Sequence, residues 1–361
     1  MQYCISQNIT FLAQNGGNGW STSFTIGKEA LIINLHRLNK ITFSADRTKV
    51  TIGGGAIISE VIDAAYANDV QIQTGNCNSV GHLGSTLGGG YGRLMGLYGH
   101  GIDNMLSARL VTPAGSVIEV EPSNENLWWA LRGAGPNFGI VTEITMKAYH
   151  VPEDKNGLWA GSLIFTEDKL EKVVEVIETL TLKPKMAVHV IFATAGPPDF
   201  APALVVTPSF AGTAGEGRTA FASLLEVGPL LDQTKWMPYN VVNADNDAFC
   251  VKGGRKPAFG AGLRNMEPTA MRQLWNEYVS FLSITLGAER SAVLIECYDL
   301  TKAREFGVES SSYAWRSAFR YLAVVVPWYE DPSFDPKAEA FGLSTREILR
   351  SMGDGANKEA V

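Results

Sequence analysis

The sequence predicts an α+β protein of two domains, the second built from an antiparallel sheet covered by helices. Three observations carry that reading. The chain has 361 residues, 45% of them hydrophobic and 19% charged, enough apolar material for more than one core. Residues 1–150 hold short strand patterns divided by glycine-rich turns. After His150-Val151-Pro152 the pattern changes to strand runs that alternate with amphipathic helices, as in an antiparallel sheet with helices on one face. The expected domains are therefore 1–150 and 151–361.

In the first domain Ile9–Gln14 and Leu31–Leu35 read as strands, and Lys40–Ser44 with Lys49–Ile52 as a hairpin around Ala45-Asp46-Arg47-Thr48. Ile57, Ile58, Val61, Ile62 and Ala65 share one helical face, and that helix ends near Asn68. A short extended piece, Val70–Gln73, leads into a glycine-rich centre. Ala108–Thr112 and Ser116–Val120 flank Pro113-Ala114-Gly115 as a second hairpin. Leu127–Leu131 reads as a short helix, and Ile140, Ile144, Met146 and Ala148 as the buried side of a strand.

In the second domain strands are expected at Trp159–Phe165, Ala187–Thr194, Ala203–Phe210, Ala292–Tyr298 and Phe319–Trp328. A helix begun by Thr166 carries the apolar stripe Leu170, Val173, Val174 and Ile177. Further helices are expected at about 216–227, 268–285 and 336–351, and Asp232–Asn265 reads as long loops.

Charge and composition exclude several functions. A net charge of −7, a pI near 5.4 and the lack of a basic run argue against nucleic acid as a partner. No apolar stretch approaches the roughly 20 residues of a membrane span. Cys4, Cys77, Cys250 and Cys297 show no CxxC spacing, which disfavours zinc and dithiol redox sites, and no metal is expected. MQYCISQNITFLAQ lacks the basic and apolar regions of a signal peptide, while the sequon Asn8-Ile9-Thr10 fits a secreted parent protein. Localisation stays open.

The chain is organised around TGNCNSVGHLGSTLGGGYG, residues 74 to 92. Six of the twelve residues from 81 to 92 are glycine, although glycine inside a helix or strand costs about 0.5–1 kcal/mol relative to alanine. Such density suits a backbone that turns with positive φ or lies directly against a large ligand. A second glycine turn, GGNG, spans 16–19, and a third lies in LRGAGPNFGIVTEITMKAY, 131–149. Three such turns between strands suggest one extended ligand.

Taken in order, these motifs resemble the vanillyl-alcohol-oxidase superfamily, and most closely the berberine-bridge-enzyme-like FAD-linked oxidases. The matching segments are Gln14-Asn15-Gly16-Gly17-Asn18-Gly19, the TGNC-x-x-VG turn, LGGGYG, YGHGIDN at 98–104, VTPAG, and NLWWALRGAGPNFGIVTEI from Asn126 to Ile144. The resemblance implies a PCMH-type FAD-binding domain followed by a substrate-binding domain. It implies that the FAD pyrophosphate lies against the amides of Asn15, Gly16, Gly17, Asn18 and Gly19 and of Val80, Gly81, His82, Gly84 and Ser85. The adenine would lie near Gly139, Ile140 and Val141, and the flavin ring over Gly75–Asn78, with Gly90 and Tyr91 beside it. The family fold also has a first βαβ part, which would precede Met1, and a return segment with a Tyr-x-Asn motif, which would follow Val361.

Individual residues carry two readings each. Bicovalent relatives have a histidine where this chain has Asn18, so that flavin link is absent. Cys77 reads as a core cysteine on its chemistry alone, and by resemblance as the site of a thioether to flavin C6. Arg132 is a phosphate partner or a structural ion, and His82 faces the flavin or the core. The expected acidic base is missing from Phe319–Trp328, which leaves Glu296, Tyr298 and Tyr313 as catalytic candidates, each also readable as a satisfied sheet residue. Trp236, Tyr239, Trp315, Trp328 and Tyr329 suit an apolar pocket or core packing.

The function this implies is that of an FAD-dependent oxidase. A small organic substrate of specialised metabolism would give a hydride to flavin N5, and O₂ would be reduced to H₂O₂. Two rivals are a flavin-containing cyclase without net redox change and a truncated paralogue that does not catalyse.

Overall fold

A computed structural model describes residues 1–19, 24–285, 287–316 and 319–352. The chain forms two compact units: the first holds Met1–Gly157, Pro238–Val251 and Thr301–Arg316, and the second holds Leu158–Met237, Lys252–Leu300 and Ser317–Val361.

The first unit is built on a five-stranded antiparallel sheet in the order Ile41–Phe43, Lys49–Gly53, Ile140–Lys147, Met105–Val111, Val117–Val120. Alternation sets its buried face: Val50 and Ile52 stand opposite Met146 and Ile144, all fully buried. The turn before Lys49 is fixed by Asp46, whose Oδ1 accepts from Thr48 N at 3.1 Å and from Ser44 Oγ at 2.6 Å. The Ile58–Tyr66 helix buries Ile58, Val61, Ile62 and Ala65, the face its 3.6-residue period predicts. A parallel pair, Phe11–Gln14 with Leu31–Asn34, delivers the first glycine turn.

The second unit is a nine-stranded sheet, antiparallel in the registers of its main path. Its centre runs Pro202–Phe210, Met186–Thr194, Ala292–Tyr298, Tyr321–Val326. One face presents Val188, Val190, Phe192, Val293, Ile295, Ala323 and Val325 to a core shared with the Leu170–Thr179, Pro268–Ile284 and Asp335–Ser351 helices. Leu170, Val173, Val174 and Ile177 are all buried there.

Several expectations change. The second domain is not continuous, because 238–251 and 301–316 return to the first unit. Tyr239 donates its phenol proton to Ile72 O at 2.7 Å. Arg316 Nη1 meets Asp103 Oδ2 at 2.7 Å with both side chains buried. The helix expected at 216–227 is two short ones, Ala214–Ala220 and Ala222–Leu225; Phe221 leaves helical geometry between them and buries its ring 5.8 Å from Trp159. Trp159–Phe165 is broken by Gly161, whose φ of +139° lets it pass close to Gln233 and Thr234. Asp232–Asn265 contains the Lys235–Pro238 and Phe259–Leu263 strands. Short helices at His82–Leu87 and Met95–Tyr98 lie inside the glycine-rich centre.

The buried ion pair gives the first test. Arg316→Leu leaves the Asp103 carboxylate buried without its counter-ion, a change that costs about 3–5 kcal/mol. A urea-unfolding series should show that loss, and a change below about 1 kcal/mol would mean that the pair does not anchor the 301–316 segment.

Candidate functional site

The structure brings the first two glycine turns into backbone contact. A Cβ built on Gly16 would run into Gly81 N and lie 2.9 Å from Ser79 O, and one on Gly81 would lie 2.7 Å from Asn15 Nδ2. Asn15 Nδ2 donates to Ala56 O at 2.8 Å, and His82 N donates to the same carbonyl at 3.0 Å. The two turns therefore form one continuous surface of main chain. Asn18 Oδ1 and Asn78 Oδ1 are buried beside it without a hydrogen-bond partner, and a Cβ on Gly84 would meet nothing within 4 Å. An open glycine and two orphaned amide oxygens, which can only accept, fit a large ligand that lies along the main chain and carries hydrogen-bond donors of its own.

Other glycines of the cluster also have a reason in the fold. A Cβ on Gly92 would overlap Thr74 O, and one on Gly90 would lie 2.7 Å from Gly101 Cα. Gly139, at φ +142°, passes against Val111 O where the Ile140–Lys147 strand begins. Ile140 and Val141 are buried in that strand. Crossing chains thus account for part of the glycine density without a ligand.

The Gly75–Ser79 segment is laced to the returning 239–250 segment. Asn243 Nδ2 donates to Gly75 O at 3.2 Å, Asn246 Nδ2 to Asn76 O at 2.8 Å, and Asn78 Nδ2 to Asp247 Oδ1 at 2.9 Å. Cys77 is joined to Cys250 in a disulfide with Cα atoms 6.0 Å apart. This differs from the expected use of Cys77, since a sulfur bonded to Cys250 is not at the same time bonded to a flavin. Nothing in the sequence marked Cys250, which lies 173 residues away.

His82 is a core residue, not a phosphate contact through its side chain. It is fully buried with Nε2 3.2 Å from Met146 Sδ, and burial lowers its pKa to about 4. Gly90 and Tyr91 lead to an aromatic cluster: Tyr313 donates to Tyr91 Oη at 2.8 Å, and His100 meets both rings at 4.9 and 5.1 Å. His100 is fully buried with both ring nitrogens unpartnered; burial, then Arg316, lowers its pKa to about 3. Arg132 is structural: its Nη2 donates to Ser310 O and its Nε to Trp128 O at 3.3 Å.

The catalytic candidates fall in different units. Tyr313 belongs to the first unit, while Glu296 and Tyr298 lie on the Ala292–Tyr298 strand of the second. Both project from the sheet face opposite the Val293, Ile295 and Cys297 side. His189, on the neighbouring strand, pairs in register with Glu296, and its Nε2 lies 3.2 Å from Tyr298 Oη. A lone histidine in an apolar run gave no sequence signal. Within the aromatic set, Tyr239 donates to Ile72 O, Tyr329 donates to Asp335 at 2.7 Å, and Trp328 lies under Lys256 at 4.0 Å. Among the described residues no group of acidic, histidine or cysteine side chains could hold a metal ion, and no helix is long and apolar enough to cross a membrane.

The first unit's sheet and its joined glycine turns define a flavin-binding protein, and FAD is its cofactor. A family model described as an FAD binding domain matches residues 1–121. The chain belongs to the FAD-linked oxidoreductases: it is 30% identical over 377 residues to FAD-linked oxidoreductase hasG of Aspergillus fumigatus, covering 100% of this chain and 79% of that protein. Its fold is that of the berberine-bridge-enzyme-like proteins. A variant of berberine bridge enzyme that is a reticuline dehydrogenase superposes with a TM-score of 0.83 at 16% identity, covering 99% of this chain and 73% of that one. Xylooligosaccharide oxidase from Myceliophthora thermophila C1 gives 0.81 at 18% identity, covering 98% and 77%.

Two outcomes follow from this geometry. Gly84→Val adds a side chain where nothing now stands, so the protein should stay folded yet retain less FAD after gel filtration than the parent; equal retention would remove Gly84 from the cofactor surface. The buried histidines make stability depend on acid. Below pH 6.5 the unfolded chain takes up protons that folded His82 refuses until about pH 4, so stability falls by about 1.4 kcal/mol per pH unit across that window. Urea midpoints at pH 7 and pH 5 should differ less in His82→Leu than in the parent.

Proposed function

We propose that the chain is an FAD-dependent oxidase of a small organic molecule in specialised metabolism, with O₂ as the electron acceptor. The observation that carries the reading is the junction of Asn15–Gly19 with Ser79–Ser85, a main-chain surface suited to a pyrophosphate. Gly139–Val141 would take the adenine, and Gly75–Asn78 would support the ring. Bound there, FAD supplies a two-electron acceptor that takes hydride from a substrate C–H bond and is reoxidised by O₂ to give H₂O₂.

The chain's own residues hold the substrate and move its proton. A base within about 3 Å of the substrate O–H or N–H has to accept that proton as the hydride leaves. Glu296 and Tyr298 are the groups assigned to that role, supported by their shared sheet face and by the histidine beside them. Tyr313, committed to Tyr91, shapes the Gly89–Tyr91 turn instead.

Covalent attachment through Cys77 depends on the redox state of the chain. A thioether would need the free thiolate, so it would form only after a thiol reductant reduces the bond to Cys250; the sulfur would replace the hydrogen on flavin C6, and O₂ would take the two electrons and two protons released. Acid precipitation of protein loaded with FAD under reducing conditions should keep yellow colour in the pellet. Cys77→Ala should lose that colour and Cys250→Ala should keep it without reductant; colour retained in Cys77→Ala would contradict the assignment.

Oxygen uptake matched by peroxide, measured against a panel of small alcohols, phenols and sugars, tests the oxidase reading. Anaerobic bleaching of the flavin that air does not reverse would instead mean a dehydrogenase. The Leu322, Val324 and Val326 side chains, free of carboxylates and in register with the Ala292–Tyr298 strand, favour a second reading as a cyclase. A product of the same mass as its substrate would identify that one.

A further inference from the structure

We propose that the Cys77–Cys250 disulfide is a thiol-responsive latch: it pins the 244–250 segment against the Gly75–Ser79 turn, and its reduction opens that turn to FAD. It rests on the proposed placement of the flavin ring over Gly75–Asn78 and concerns how the ring gets there. Every residue of the latch belongs to the first unit.

The returning 239–250 segment has two halves that are held in different ways. Tyr239, Val242 and Asn243 are buried, and the Tyr239 phenol is bonded to Ile72 O. The Ala244–Phe249 3-10 helix that follows buries none of its side chains. Three hydrogen bonds and the disulfide tie this second half to the turn. Asn246 Nδ2 donates to Asn76 O at 2.8 Å, Asn78 Nδ2 donates to Asp247 Oδ1 at 2.9 Å, and Ser79 Oγ donates to Cys250 O at 2.9 Å. The disulfide adds a covalent tie across 173 residues.

A segment with few buried apolar side chains opens locally at low cost. Side-chain hydrogen bonds that water can replace contribute little net stability. Once the S–S bond is broken, the 244–250 half has no buried side chain from its helix to keep it in place, while 239–243 stays anchored through Tyr239. Just beyond it in the chain Gly253 supplies the freedom to move: its φ is +93°, and a Cβ there would meet nothing within 4 Å.

Both sulfurs are open to a small thiol. Cys77 and Cys250 are half-buried, whereas the free thiols of Cys4 and Cys297 are buried. A thiolate of glutathione or of a dithiol attacks one sulfur, the S–S bond breaks, and a mixed disulfide forms. A second reductant thiolate displaces that intermediate. Two electrons have then passed to the chain, Cys77 and Cys250 each hold a proton, and the reductant leaves as its own disulfide.

Opening changes what the turn offers a ligand. Asn76 O loses Asn246, and the Asn78 amide, now held through Nδ2 with its Oδ1 unpartnered, loses Asp247. A backbone and a side-chain carbonyl oxygen two residues apart are thereby released together. Such oxygens accept from a planar ligand with N–H donors on its edge, and the pyrimidine edge of a flavin is one. The redox state of the latch therefore sets when that edge can be seated.

A disulfide of this span also restrains the unfolded chain, so the test separates local opening from loss of the fold. Hydrogen exchange of the full chain is followed by mass spectrometry, oxidised and after dithiothreitol. Reduction should speed exchange at 244–250 and 76–79 about tenfold and leave the Met105–Val111 and Ile140–Lys147 strands unchanged. Alkylation of the reduced, folded chain should mark Cys77 and Cys250 and spare Cys4 and Cys297. Stopped-flow mixing should show FAD associating about tenfold faster with the reduced chain, as its binding-competent fraction rises. The Cys77→Ser/Cys250→Ser chain, which can form neither the disulfide nor a thioether, should match the reduced parent without reductant. Equal exchange at 244–250 in both redox states overturns the latch, whatever FAD does. Faster exchange that spreads through the strands also overturns it, because the disulfide would then hold the whole unit and not one segment. Local opening with equal FAD rates would take the ring off Gly75–Asn78, so that placement fails and the control of FAD entry fails with it.

Discussion

The structure of the first unit depends on one close approach of main chain to main chain, at Gly16 and Gly81. Neither position has room for a Cβ, because Gly16 lies against Gly81 N and Gly81 against the Asn15 amide. The contact joins a turn that leaves the Phe11–Gln14 strand to the turn that opens the His82–Leu87 helix. Ala56 ties them from behind, since its carbonyl accepts from both Asn15 and His82. A main-chain surface held from behind in this way keeps its shape without ordering flexible side chains.

The second unit solves a different problem. Its sheet has one face committed to a helix-covered core and another that carries a short polar row among aliphatic residues.

Periodicity made much of the fold legible in the sequence. The Leu170, Val173, Val174, Ile177 stripe and the Val50, Ile52 alternation are local patterns, and both are buried as the pattern requires. The ordered glycine motifs identified the cofactor because they are specific in sequence and spacing. What sequence did not show depends on contacts between distant residues. Asp103 and Arg316 are separated by 213 residues and Cys77 and Cys250 by 173, so neither pair leaves a local trace, and the return of 301–316 to the first unit was hidden with them. Glycine density does not by itself mark a ligand surface, because Gly90 and Gly92 also let chains cross. His189 was invisible for the opposite reason: one histidine inside an apolar strand carries the same signal whether it is packed or reactive.

The most direct measurement is the flavin content of the purified chain after incubation with excess FAD and removal of the unbound cofactor. The account predicts the two visible absorption bands of a bound flavin at close to one FAD per chain. A folded protein that emerges colourless would contradict it, because the joined turns of Gly16 and Gly81 would then have some other purpose.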